Sequence, residues 1–130
     1  MPPDAGSPAA WLRFARSDLA LASQPSGPEV LLEALCFHAQ QAAEKAIKSV
    51  LLHYGIPAPK LHSIERLLDL LPPSVQRPGM LTQAASLTDY AVISRSPVDD
   101  DPVTQNEYRE AVDAAAAVVA WAEGVVGKRQ

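Results

Sequence analysis

The feature that most restricts the fold is an unbroken helical period over residues 28–54. Apolar side chains recur at Leu32, Cys36, Ala39, Ala43, Ala46, Ile47, Val50 and Tyr54, the three-and-four spacing of one helix face. At ~1.5 Å per residue such a helix is about 40 Å long, so its stripe needs partners of similar length. Hydrophobic residues make up 48% of the chain but aromatic ones only 5%, so alanine, leucine and valine must build the core. Small side chains favour closely approaching helices over a thick sheet sandwich.

The twelve prolines leave the periodic segments clean and mark their ends. A first helix is expected from Ser7-Pro8, with Ser7 capping and Pro8 at the first helical position, where no amide hydrogen is missed. Its stripe is Trp11, Leu12, Ala15, Leu19 and Ala22, and Pro25-Ser26-Gly27-Pro28 breaks it. The long helix follows and should stop at Gly55 and Pro57. A short helix is expected over 64–71, closed by Pro72-Pro73, and another over 79–94, closed by Pro97. The last helix opens with Thr104-Gln105-Asn106-Glu107, a capping box, and runs through Val126 to Gly127. No segment alternates like a strand. The expected fold is all-α: an antiparallel up-and-down four-helix bundle with one additional short helix, in a single domain with its core over about 8–126 and frayed ends at 1–6 and 128–130.

The net charge of −4 argues against a surface that grips nucleic acid throughout, because such domains are strongly basic. A local basic patch stays open, since residues 44–66 are mildly basic while 99–113 are acidic. That asymmetry would let two copies, or this chain and a partner, dock by complementary charge. The single cysteine, Cys36, lies on the apolar stripe and reads as a small hydrophobe in a reducing compartment. Residues 1–10 lack the basic start and apolar centre of a signal peptide, and the longest apolar run, 114–122, is far short of a membrane span. The expectation is a cytoplasmic protein with no membrane segment.

Beside the apolar stripe of the long helix lies a polar row, His38, Gln41, Lys45 and Lys48, spaced so that their side chains can reach one point. Two readings stand. The row lines a groove for a nucleotide or partner, with His38 stacking, Gln41 meeting base edges and Lys45 meeting phosphate. Alternatively, His38 and Gln41 hydrogen-bond a neighbouring helix and Lys45 is solvated.

The segment Phe37-His38-Ala39-Gln40-Gln41-Ala42-Ala43-Glu44-Lys45-Ala46 resembles the signature helix of prokaryotic HEPN domains. Later stations fit the same pattern: Tyr54-Gly55-Ile56-Pro57, Leu61-His62-Ser63-Ile64, then Leu87-Thr88-Asp89-Tyr90-Ala91 leading to Arg95-Ser96-Pro97. Together they cover 11–126. The resemblance implies a helical bundle that forms homodimers, is often encoded beside a small nucleotidyltransferase, and has a link to RNA or nucleotides. It implies no metal and no cofactor. Many relatives are metal-independent ribonucleases, some of them toxins of toxin–antitoxin pairs. These carry an arginine, four to six spacer residues and a histidine; the histidine works around the ribose 2′-hydroxyl and the arginine steadies the phosphate.

Arg95 fits the arginine position of that motif, but Asp99-Asp100-Asp101-Pro102 stand where the histidine belongs, and none of the seven arginines has a histidine four to seven places downstream. A carboxylate cannot supply the proton that an imidazolium gives a leaving oxygen near neutral pH. The expectation is therefore a binding module for a nucleotidyltransferase partner, RNA or nucleotide, without catalysis. Its ligand- or partner-binding residues are His38, Gln41, Lys45, His62 and Arg95, with no metal site. The alternative is a ribonuclease whose histidine, His38 or His62, comes from elsewhere across a dimer cleft. A partner-modified toxin is a weaker third reading, because the tyrosine two places after the motif histidine is missing here. Arg95 reads equally as a salt bridge to the acidic run, and Asp99–Asp101 as a solvated acidic loop. His53, Trp11 and Trp121 read as structural, and a structural role is the competing reading for His62 as well.

Overall fold

The computed structural model describes residues 6–24, 27–90 and 102–127. Arg95, Ser96, Pro97, the run Asp99–Asp101, the end of the helix expected to reach 94 and the terminal stretches lie outside the described residues.

Five α-helices form, with no strand among the described residues: α1 (Pro8–Ser23), α2 (Leu32–His53), α3 (Ile64–Asp69), α4 (Gly79–Ala84) and α5 (Gln105–Val126). A 3-10 helix, Ala85–Tyr90, continues α4. The caps expected from the sequence are present. The Ser7 hydroxyl accepts from the Ala10 amide at 3.1 Å ahead of Pro8. Thr104 and Glu107 exchange both bonds of the capping box, at 2.9 and 3.1 Å. At the end of α2, Gly55 takes a left-handed φ of 79°, and the amides of Gly55 and Ile56 return to the carbonyls of Leu52 and Leu51. This pair of bonds is a Schellman motif, and a residue without Cβ adopts its backbone at no steric cost.

Three boundaries differ from the expected ones, each for a local reason. Residues 28–31 are not helical, because Val30 N–H closes a turn on the Gly27 carbonyl at 3.0 Å and Leu31 is extended. The helix starts where Glu33 falls in its first turn, placing a carboxylate at the positive end of the helix dipole. The same carboxylate accepts the Val103 amide at 2.9 Å, tying the start of α2 to the approach of α5. At α3, the Leu71 amide returns to Leu68 in a tight last turn before Pro72, so the helix ends at Asp69. From 79 onward the α-helix gives way to 3-10 after Ala84. The buried residues there, Leu81, Ala84 and Leu87, come every third position, which is the 3-10 period. The Thr88 hydroxyl accepts the Ile64 amide at the start of α3, a contact that this tighter winding serves.

The rods run up and down. Trp11 meets Lys48 while Asp18 meets His38, so α1 is antiparallel to α2. Arg16 pairs with Glu123 and the Tyr108 hydroxyl donates to the Ala22 carbonyl, so α1 is antiparallel to α5 as well. Helices α2 and α5 are therefore parallel, and the α4–3-10 unit returns between them as the third rod. The core is as alanine-rich as expected: Ala15, Ala22, Ala39, Ala42, Ala43, Ala46, Ala115 and Ala122 are fully buried around Ile47, Leu51, Leu67, Leu81 and Val118. Helix α2 lies at the centre, and even its Gln40, Glu44, Lys48 and Ser49 are buried.

Candidate functional site

The polar row of α2 does not converge on one point. It divides between two carboxylates, one from another helix and one from α2 itself. Asp18 of α1, 8% exposed, accepts the Lys45 ammonium at 2.6 Å and lies 3.0 Å from His38 Nδ1. Phe14 closes the outer side of this pair, its ring centroid 5.9 Å from Lys45 Nζ, and the His38 ring meets Phe37 edge-on.

One turn along α2, Glu44 forms the second hub. It accepts from Lys48 Nζ at 2.8 Å and Gln40 Nε2 at 3.0 Å, and lies 3.2 Å from His62 Nδ1. Gln40 also donates to the His62 carbonyl at 3.3 Å, and Gln41 donates to Gln40 Oε1 at 2.8 Å. Lys48 lies over the Trp11 ring at 5.5 Å. Burial by itself pushes the Glu44 carboxyl up. The Lys48 ammonium and the Gln40 and His62 hydrogen bonds outweigh it and hold the group below the usual carboxylate range.

Because an ionised carboxylate only accepts, the nitrogen facing it carries the proton: Nδ1 in both His38 and His62. The neutral imidazole then keeps Nε2 as its basic nitrogen. The His62 side chain is 69% exposed and that of His38 33%, so His62 is the imidazole open to solvent. None of these hydrogen bonds involves an arginine; Arg16 is engaged by Glu123 and Arg77 lies beside Asp69. Among the described residues no group of three or more His, Cys, Asp or Glu side chains is placed to hold a metal ion.

The thiol of Cys36 is fully buried, and burial, with Glu33 and Glu107 nearby, pushes it up to about 11. It is a packing residue. Trp121 donates to the Gln76 carbonyl at 3.3 Å and, with His53 and Tyr54, walls a groove of about 550 Å³ where α2 and α5 end.

The HEPN domain model matches residues 9–125, the span of the five helices. The chain belongs to the HEPN family. This HEPN protein is also similar to TT1696 from Thermus thermophilus, whose crystal structure superposes with a TM-score of 0.80 at 35% identity. The match covers 92% of this chain and 98% of that one. Among curated proteins nothing matches. Among the described residues of the HEPN protein, no helix is long and apolar enough to cross a membrane.

The sequence reading missed Asp18, Gln40 and Glu44. Gln40, Glu44 and Lys48 stand four apart in one column flanked by apolar Ala43 and Ile47, which is a readable sign of buried pairing. Asp18 gives no such sign, because its partners lie twenty and more residues away.

Proposed function

We propose that this HEPN protein is a binding module that associates with a nucleotidyltransferase partner, or takes up nucleotide or RNA, without cleaving it. The observation that carries this reading is the absence of the Arg-x4-6-His spacing anywhere in the chain, with Asp100, Asp101 and Pro102 in the places open to the histidine. The hydrogen-bond pattern around His38 and His62 supports it: each Nδ1 is committed to a carboxylate, and no arginine among the described residues shares their bonds. The proposed contact residues are His38, Gln41, Lys45, His62 and Arg95. Within this set His62 and Arg95 carry recognition, while Asp18 fixes His38 and Lys45 and Gln40 fixes Gln41. The protein works as a homodimer, in keeping with its family.

Incubating purified protein with total RNA, with and without chelator, should leave the RNA intact. Arg95→Ala should weaken binding of the partner or nucleotide in calorimetry with no change in melting temperature; unchanged binding removes Arg95 from the set. One observation favours a second reading, a ribonuclease with a displaced histidine: Glu44 orients an exposed His62 with Nε2 as its basic nitrogen. Chelator-resistant cleavage that disappears in His62→Ala would establish that reading in place of the first.

A further inference from the structure

We infer that the outer seam between α1 and α2 is the surface on which a second copy of this chain docks about a two-fold axis. Of the seven large hydrophobic side chains exposed among the described residues, four belong here: Phe14 and Leu21 of α1, and Val30 and Leu31 at the start of α2. Phe14, Asp18 and Leu21 follow at steps of four and three on one face of α1, and Leu31, His38 and Lys45 at steps of seven along α2. Asp18 bonds both His38 and Lys45, and the Phe14 ring lies 5.9 Å from Lys45 Nζ, so the two rows flank one seam. Grouped apolar exposure of this kind marks an interaction surface. Leu31 points the same way. It is the N-cap of α2, where Ser, Thr, Asp or Asn would accept a free amide of the first turn; no side chain caps this helix, and the leucine is 61% exposed. Such a residue serves neither the helix end nor the core, and its chemistry is that of a contact.

The charges along the seam select the occupant. Arg13 stands at the Phe14 end, its guanidinium 5.7 Å from that ring, and Glu29 stands at the Leu31 end. Both are exposed and neither makes an ion pair among the described residues. Their charged neighbours are engaged, Arg16 by Glu123 and Glu33 by the Val103 amide. In the middle, the Asp18 carboxylate balances the Lys45 ammonium. The seam is therefore basic at one end, acidic at the other and balanced between.

A two-fold rotation about the middle reverses the ends. Phe14 of one copy then faces Leu21 of the other, and Arg13 faces Glu29, so each end meets its opposite. This self-complementarity is what an isologous contact requires. The spacings agree: Phe14 and Leu21 are about 10 Å apart along α1, and Leu31 stands two turns, again about 10 Å, from His38 at the middle. The inference rests on the homodimer reading and names its surface. Glu44, which holds His62, is six residues from His38 and so about 120° round α2, which keeps the His62 ring outside the seam.

Sedimentation velocity of the full chain over a range of concentrations tests it. The wild type should be a dimer at micromolar concentration. Leu21→Gln/Leu31→Ser should raise the dissociation constant at least about tenfold while keeping the far-UV circular dichroism of the wild type, because serine caps α2 better than leucine does. Arg13→Glu and Glu29→Lys should each weaken the dimer about tenfold, since two symmetric pairs become repulsive. Mixing these two variants should restore wild-type affinity within about threefold, the acid introduced in one chain facing the base introduced in the other. Glu65→Lys, a charge change at an exposed position of α3, should stay within about twofold of wild type. A dimer indifferent to Leu21→Gln/Leu31→Ser, or no recovery on mixing, would overturn the inference and leave the homodimer and recognition readings standing. A wild type that is monomeric at every concentration would overturn the homodimer with it and leave the seam to a partner protein. Loss of partner or nucleotide binding in Arg95→Ala, measured on the Leu21→Gln/Leu31→Ser chain, reads recognition apart from assembly.

Discussion

Replacing Glu44 by alanine tests the physical account of α2 most directly. The carboxylate side chain is 4% exposed and the Lys48 side chain 7% exposed, so the substitution leaves an ammonium buried without its anion. Breaking a buried pair from one side costs about 3–5 kcal/mol. The Trp11 face near Lys48 Nζ offsets roughly 1 kcal/mol of this. Gln40 keeps one acceptor, the His62 carbonyl, so its amide adds little. The expected loss is about 3 kcal/mol. At roughly 3–5 °C per kcal/mol for a domain of this size, the melting temperature should fall by about 10–15 °C.

The double substitution Glu44→Leu/Lys48→Met removes both charges and keeps volume, and should lie within about 1 kcal/mol of wild type. Lys48→Met alone leaves a buried carboxylate still bonded to Gln40 and His62, and should fall between the two. Urea unfolding followed by far-UV circular dichroism measures all four members of the cycle, with an unchanged slope as the check that each unfolds in one step. A loss below about 1 kcal/mol for Glu44→Ala, or a double variant as unstable as the sum of the singles, would refute the buried-pair account.

The remaining predictions address acid sensitivity, the thiol and one turn. Because the Glu44 carboxyl is held below its ordinary value, its contribution to stability is complete above about pH 4.5 and is lost as pH falls through the depressed value. The urea midpoint of wild type should therefore drop more steeply below pH 4.5 than that of Glu44→Gln, and parallel curves would contradict the shift. Cys36, buried and raised to about 11, should react with iodoacetamide at pH 8 only as fast as the protein unfolds, so labelling should accelerate with urea. Immediate labelling of the native protein would place the thiol at the surface. Gly55→Ala should lower stability by about 1 kcal/mol in the same urea assay, through its φ of 79° alone, since no neighbouring atom lies within 4 Å of an added Cβ. A neutral result would mean that the turn relaxes away from the left-handed conformation.

The features of this HEPN protein that were legible in its sequence are those decided by neighbours in the chain. Ser7-Pro8, the Thr104–Glu107 box and the Gly55-Ile56-Pro57 stop each act within a few residues, and each is found where the residue types require it. The period of α2 was equally plain, and so was the bundle that such a rod imposes. The switch to 3-10 winding after Ala84 was not, because it depends on Thr88 serving the start of α3, twenty-four residues away. The partners of the polar row were illegible for the same reason. Spacing says which side chains share a face, but which hub each joins was decided by Asp18 on α1 and by the segment that carries His62.

A wider consequence follows from the position of α2. A helix enclosed by α1, α3, the 3-10 helix and α5 has little surface on which to display polar side chains, so those it carries must be satisfied internally or destabilise the fold. His38, Gln40, Lys45 and Lys48 are satisfied in this way, which makes the signature segment above all a device for locking the central rod to its neighbours. On the proposed reading, recognition then rests on the exposed ring of His62 rather than on the enclosed face of α2. Substitutions in the signature helix should accordingly change melting temperature first and binding second.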